Sequence, residues 1–244
     1  MYYSYKDIVE SLPIKKNSKS SLWVKLFVRK ASFPLTWILI NLRCSAWGAS
    51  ILSICVALTG FGFLLIDNEL SRITGVILTQ LWLILDCVDG NIARVQKKSS
   101  EYGEFVDAIS GYYVTGFIFL GIGVAAYNTS SIVSSPYLIG CIILGGVSSV
   151  SGLLCRLIHQ KYTYTTMVVN DNASAIPENE AKQKFSLQYI RSRVDKELGI
   201  SGLFMPFLIV ACVFHIYDLM TFFYCLFQVV SLIIITLYYA VKAR

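Results

Sequence analysis

Three aspartates interrupt otherwise apolar stretches of this chain. Asp86 to Arg94 reads Asp-Cys-Val-Asp-Gly-Asn-Ile-Ala-Arg, and after eight residues Gly103 to Gly111 reads Gly-Glu-Phe-Val-Asp-Ala-Ile-Ser-Gly. With Ile73–Val88 helical, Asp86 and Asp89 project from neighbouring points of one face. A second helix over Phe105–Tyr127 carries Asp107 about one turn after its start, on the face shared by Gly103 and Gly111. A hairpin between them would bring three carboxylates together at one end of a bundle. Isolated ionised carboxylates are costly there, so three imply paired cations, a water-filled pocket or bound metal. The plainer reading is three interfacial charges at helix ends.

Aspartates without soft ligands suit Mg²⁺ or Mn²⁺, which prefer oxygen and stay bound to substrate phosphates. Such an ion would neutralise a pyrophosphate and the charge that develops as it splits. Gly90 and Ala93 leave room for a ligand beside the backbone, and Arg94 supplies a cationic fork. The chemistry this predicts is phosphoryl transfer at a membrane surface, with Asp86 as the shared ligand and Asp89 and Asp107 completing the site.

The elements that must position these residues are membrane spans. Hydrophobic side chains make up 55% of the chain, charged ones only 15%, and the mean hydropathy is +0.61. That composition excludes an ordinary soluble domain and predicts an all-α polytopic membrane helix bundle. Six transmembrane helices are expected: Trp47–Ile66, Ile73–Val88, Phe105–Tyr127, Pro136–Cys155, Leu203–Tyr217 and Leu219–Val241, the second and fifth being the weakest. Met1 to Ser21 is polar and basic, without the apolar core of a cleavable signal peptide. The seven cysteines are mostly single residues inside spans and suggest neither disulfides nor zinc.

Of the connections Asp67–Arg72, Asn128–Ser135 and His215–Asp218, only the first contains a lysine or arginine, Arg72. The amino-terminal arm, the Arg94–Lys98 loop, the Arg156–Lys196 segment and the tail hold nearly all the others. The positive-inside rule then makes both termini and the acidic site cytosolic, and an even span count agrees. The net charge of +6 is spread along membrane boundaries, which favours anionic lipids and not nucleic acid.

Residues 1–34 read as a cytosolic arm with an interfacial amphipathic helix, and 35–244 as the membrane domain. Leu22, Trp23, Leu26 and Phe27 oppose Lys25, Arg29 and Lys30, with Trp23 as anchor and Pro34 expected to end or kink the helix. Small residues in the first span predict close helix packing. The fourth span is thin and polar along one flank and ends in Arg156 and His159, so it should face a cavity, with Arg156 at the mouth. In the polar insertion Tyr162–Ser201, Arg191 and Arg193 are ordinarily lipid contacts, with phosphate binding as the sharper alternative. His159 reads as an interfacial histidine and His215 as too distant for a base. The last two spans read as lipid-facing or dimer-forming walls.

The spaced residues resemble the signature of the CDP-alcohol phosphotransferase family, integral membrane enzymes that make phospholipids and related phosphodiesters. The signature is met at Asp86, Asp89, Gly90, Ala93, Arg94, Gly103 and Asp107. The resemblance implies a homodimer, a pair of Mg²⁺ or Mn²⁺ ions held by Asp86, Asp89 and Asp107, and a CDP-linked alcohol or CDP-diacylglycerol donor. It implies donor contacts at Asp89, Gly90, Ala93, Arg94, Gly103 and Asp107. An alcohol would attack the β-phosphorus and CMP would leave, while Arg156, Arg191 and Arg193 are positional choices for an acceptor or lipid phosphate. The family's last aspartate, assigned to a second metal and to activating the hydroxyl, falls here on Gly111. Three accounts stay open: a degenerate member that binds without turnover, an enzyme using one metal or water with Glu104 beside Asp107, or a branch with no need of that base. A transporter is a further alternative, opposed by the lack of internal repeats and by the acids' place near one edge.

Overall fold

The computed structural model describes residues 3–13, 20–97, 101–130, 136–171 and 197–242, and their regular structure is entirely helical. A short α1 (Tyr5–Glu10) is closed by a capping box between Ser4 and Asp7. A π-helical turn, Val24–Val28, runs into α2 (Arg29–Asn41). The bundle helices are α3 (Ala46–Leu64), α4 (Glu69–Val95), α5 (Glu101–Thr129) and α6 (Ile139–Asp171). A π-helical stretch, Ile200–Phe204, leads into α7 (Met205–Phe214), and α8 (Tyr217–Lys242) completes the bundle. Ser45 and Asn68 start α3 and α4 by accepting the backbone N–H groups of Gly48 and Ser71.

Among the described residues five helices, not six, are long and apolar enough to cross a membrane: Ala46–Leu64, Glu69–Val95, Phe105–Thr129, Ile139–Thr166 and Tyr217–Lys242. The expected span Leu203–Tyr217 is the exception. Its apolar helical stretch, Ile200–Phe214, departs from helical geometry at Gly202 and stops where His215 turns left-handed at φ 55°. At 1.5 Å per residue it reaches about 22 Å, against a hydrocarbon core of about 30 Å. The even-count support for the orientation falls with it. Both terminal segments nevertheless lie at one end of the bundle. Ile8 packs with Val88 and Ile92 of α4, and the Lys242 ammonium lies over the rings of Tyr162 and Tyr238.

Pro34 does not end its helix, which continues to Asn41. Two hydroxyls serve the carbonyls of this stretch, Ser32 bonding to the Arg29 carbonyl at 2.9 Å and Thr36 to that of Ser32 at 2.7 Å. Leu22, Leu26 and Phe27 project outwards, whereas Val24 and Val28 are buried in the core. The element thus has an outer apolar stripe suited to an interface and an inner one packed on the bundle.

Close packing is set by glycines, as the small-residue content predicts. α3 crosses α4 where a Cβ on Gly75 would come within 2.9 Å of the Gly60 carbonyl oxygen. α5 crosses α6 still more tightly, a Cβ on Gly145 meeting the Phe119 carbonyl at 2.6 Å and the Gly123 Cα at 3.0 Å. Since both obstacles are backbone, Gly145→Ala is expected to destabilise the bundle by about 1–3 kcal/mol. Thermal unfolding in detergent micelles measures it.

Candidate functional site

α4 packs mainly on α3, and α5 on α6 and α3, while α4 and α5 touch little. The anticipated hairpin therefore opens at one end into a cavity of about 630 Å³, with α6, α8 and the Gly199–Ser201 turn as its other walls. Asp86, Asp107, Gly111, Arg156 and His159 all line it.

The three aspartates do not share one environment. Asp86 and Asp107 face the cavity from α4 and α5. Asp89 is buried at 6% exposure and reaches α3, where the Ser50 hydroxyl donates to its Oδ2 at 2.6 Å. Its Oδ1 accepts the Gly90 backbone N–H. The helical period explains the split, since three residues rotate a side chain by about 300° and Asp89 falls on the flank facing α3.

Next to Asp89 a buried polar network joins the amino-terminal helix to α4. The Asn91 amide donates to Ser32 Oγ at 3.1 Å and Thr36 Oγ1 at 3.0 Å, and its oxygen accepts from Arg94 Nη2. Arg29 is also buried and donates to Ser20 Oγ at 2.8 Å. The Nε atoms of Arg29 and Arg94 are buried without a hydrogen-bond partner among the described residues. The space beside Gly90 is taken by Arg94, whose Nη1 would lie 3.2 Å from an added Cβ. Asn91→Ala leaves two buried hydroxyls and a guanidinium without their amide partner. A loss of about 2–3 kcal/mol is expected, read as faster amide hydrogen exchange over residues 22–41.

Gly111 lies one turn beyond Asp107 on the same face of α5. Arg156 reaches across from α6 to this position, and a Cβ on Gly111 would be 2.7 Å from its Nη1. The guanidinium lies 5.6 Å from the centre of the Tyr112 ring and within electrostatic range of Asp86. One turn on, the pairing reverses. Thr115, bonded to the Gly111 carbonyl at 2.7 Å, lies opposite Gly152, where a Cβ would meet its methyl at 2.9 Å.

Ala93 and Gly103 are on α4 and α5, half-buried, and Ala93 does not line the cavity. Glu104 belongs to α5 but its side chain is outside the described residues, as are Arg191 and Arg193. Asp86 and Asp107 give the cavity two hard oxygen donors, which suits a divalent ion completed by water or ligand oxygens. Among the described residues no three acids, histidines or cysteines gather into an ion-holding cluster.

Sequence reasoning missed part of the wall. His159 lines the cavity with its Nδ1 on the Tyr239 hydroxyl, and that ring stacks on Tyr162 at 4.4 Å. α8, expected as a lipid-facing or dimer-forming wall, contributes Gln228, Ser231 and Tyr239. The polar residues Gln228 and Ser231, three apart inside an apolar helix, were the available signal. His215 lies 3.9 Å from Glu69 and is not in the cavity.

No curated protein matches the chain significantly. The family model described as CDP-alcohol phosphatidyltransferase matches residues 46–191, a stretch that runs from α3 through both aspartate-bearing helices to beyond α6. With that match covering more than half of the sequence, the chain belongs to the CDP-alcohol phosphatidyltransferase family.

Proposed function

We propose that this multi-pass membrane protein transfers a phosphoalcohol or phosphatidyl group from a CDP-linked donor to an alcohol acceptor, releasing CMP. The observation that carries the reading is that Asp86 and Asp107, far apart in sequence, wall one cavity together with Arg156. In the reaction the acceptor oxygen bonds to the β-phosphorus and the bond from that phosphorus to the CMP oxygen breaks. The bond electrons leave with CMP, and the hydroxyl proton goes to Asp107 or, through water, to Glu104. A bound Mg²⁺ or Mn²⁺ would supply charge neutralisation at the diphosphate.

Asp86 and Asp107 hold the ion from the cavity side in this reading, and Asp89 is the third carboxylate that the motif assigns to it. The structure bears unequally on them, since Asp89 is already engaged by Ser50. Gly90, Ala93, Arg94 and Gly103 complete the donor site with Asp89 and Asp107. The buried Nε of Arg94, which has no partner among the described residues, supports a phosphate contact there. Arg156, Arg191 and Arg193 take the acceptor or lipid phosphate. The basic end of the bundle, with the 1–34 arm and the 35–244 membrane domain's cavity, faces the cytosol and anionic lipids by the positive-inside rule. A homodimer is the proposed assembly.

The alternative is a CDP-alcohol-binding scaffold or regulatory membrane protein without turnover, favoured by glycine at position 111. Incubation with CDP-diacylglycerol and with soluble CDP-alcohols against an acceptor panel, followed by mass spectrometry, separates the two. CMP with a new phosphodiester supports the enzyme. Ligand binding by calorimetry without CMP release supports the scaffold, and neither metal nor cytidine-nucleotide binding rejects both.

A further inference from the structure

Glycine at position 111 has a structural counterpart in Arg156. The guanidinium occupies the space over Gly111 so closely that any Cβ would displace it, at 2.7 Å from Nη1. It is held there by three features. The Tyr112 ring lies beneath it at 5.6 Å, Asp86 supplies an opposing charge, and α6 comes close because Gly152 fits over Thr115 one turn away. The group faces the same cavity as both carboxylates.

We propose that Gly111 is the seat of a fixed, protein-borne cation, and that the cavity consequently takes one divalent metal ion per chain, at Asp86 and Asp107. Resting on the family reading above, this identifies what stands at position 111 in place of a carboxylate. The charges are consistent with it. Two facing carboxylates balance one divalent ion, and the guanidinium adds the positive charge left over for a phosphate. A second divalent ion beside Gly111 would have no side-chain ligand from that residue and would meet the guanidinium directly. The ligand class is therefore one Mg²⁺ or Mn²⁺ plus a phosphate that touches both the ion and Arg156.

The test uses the full chain in detergent, with Mn²⁺ counted by electron paramagnetic resonance and titrated by calorimetry in the presence of CDP. One Mn²⁺ per wild-type chain is expected. Arg156→Gln removes the repelling charge and should tighten Mn²⁺ binding by about tenfold. Gly111→Asp alone should keep one ion, because its carboxylate pairs with Arg156, whereas Gly111→Asp with Arg156→Gln should take two. Two ions in the wild type, or Mn²⁺ affinity unmoved by Arg156→Gln, overturns the proposal. Both counts can be read on the wild type and one single variant if the double variant does not fold. Failure of the wild type to bind either Mn²⁺ or CDP would reject the family reading itself, an outcome distinct from a count of two.

Discussion

Asp86→Asn is expected to abolish CMP release, a loss of about a thousandfold or more, the upper range for removing one group that stabilises charge in a transition state. The substitution keeps the size of the side chain and removes one of two carboxylates facing the cavity. It should also remove most of the Mn²⁺ dependence of CDP-alcohol binding. Radiolabelled CMP release and calorimetry on the same preparation read the two effects together. Thermal stability should change little, since Asp86 is only half-buried at the cavity wall. Wild-type rates in this variant would mean that the cavity is not the place of reaction.

The second large effect concerns Gly111 and Arg156 as a pair. Arg156→Ala should lower CMP release about a hundredfold. Gly111→Val should do nearly the same although it leaves the arginine in the sequence, because its Cβ would come within 2.7 Å of Nη1 and push the guanidinium aside. The double variant should then be little worse than either single one, a strong departure from additivity that a double-mutant cycle quantifies. Independent roles for the two residues would instead give losses that multiply.

The sequence was informative where one local period decides the outcome. Asp86 and Asp107 could be placed at a common end because each is tied to a long helix whose apolar run can be read directly. The small residues of the first span, Gly60 among them, likewise announced close packing. Asp89 could not be placed by the same means, because only the position of α3 tells which flank of α4 is cavity and which is packing. The short helix Ile200–Phe214 has a suitable composition, but its length is set by a kink at Gly202 and a left-handed residue at His215. Neither conformation is dictated by residue type alone. Pro34 was expected to end or kink a helix that in fact continues past it, with Ser32 and Thr36 on either side of the proline both held by the Asn91 amide. The cavity wall on α8 depends on partners such as His159 and Tyr239, 80 residues apart, which no window of sequence contains.

The amino-terminal segment is fastened to the far part of the chain. Ser21 donates to the Ser201 carbonyl at 2.6 Å, and the Leu22 N–H donates to Glu197 Oε2 at 3.1 Å. Ser201 belongs to the turn that closes one side of the cavity. During synthesis the first of these partners emerges 180 residues before the second. At about 5–20 residues per second the arm must wait roughly 10–40 s for the segment that holds it. The Gly199–Ser201 wall is thus anchored by a segment made 180 residues before it. Removing residues 1–23 would leave every cavity-lining side chain in the gene and still deprive the Gly199–Ser201 wall of its anchor.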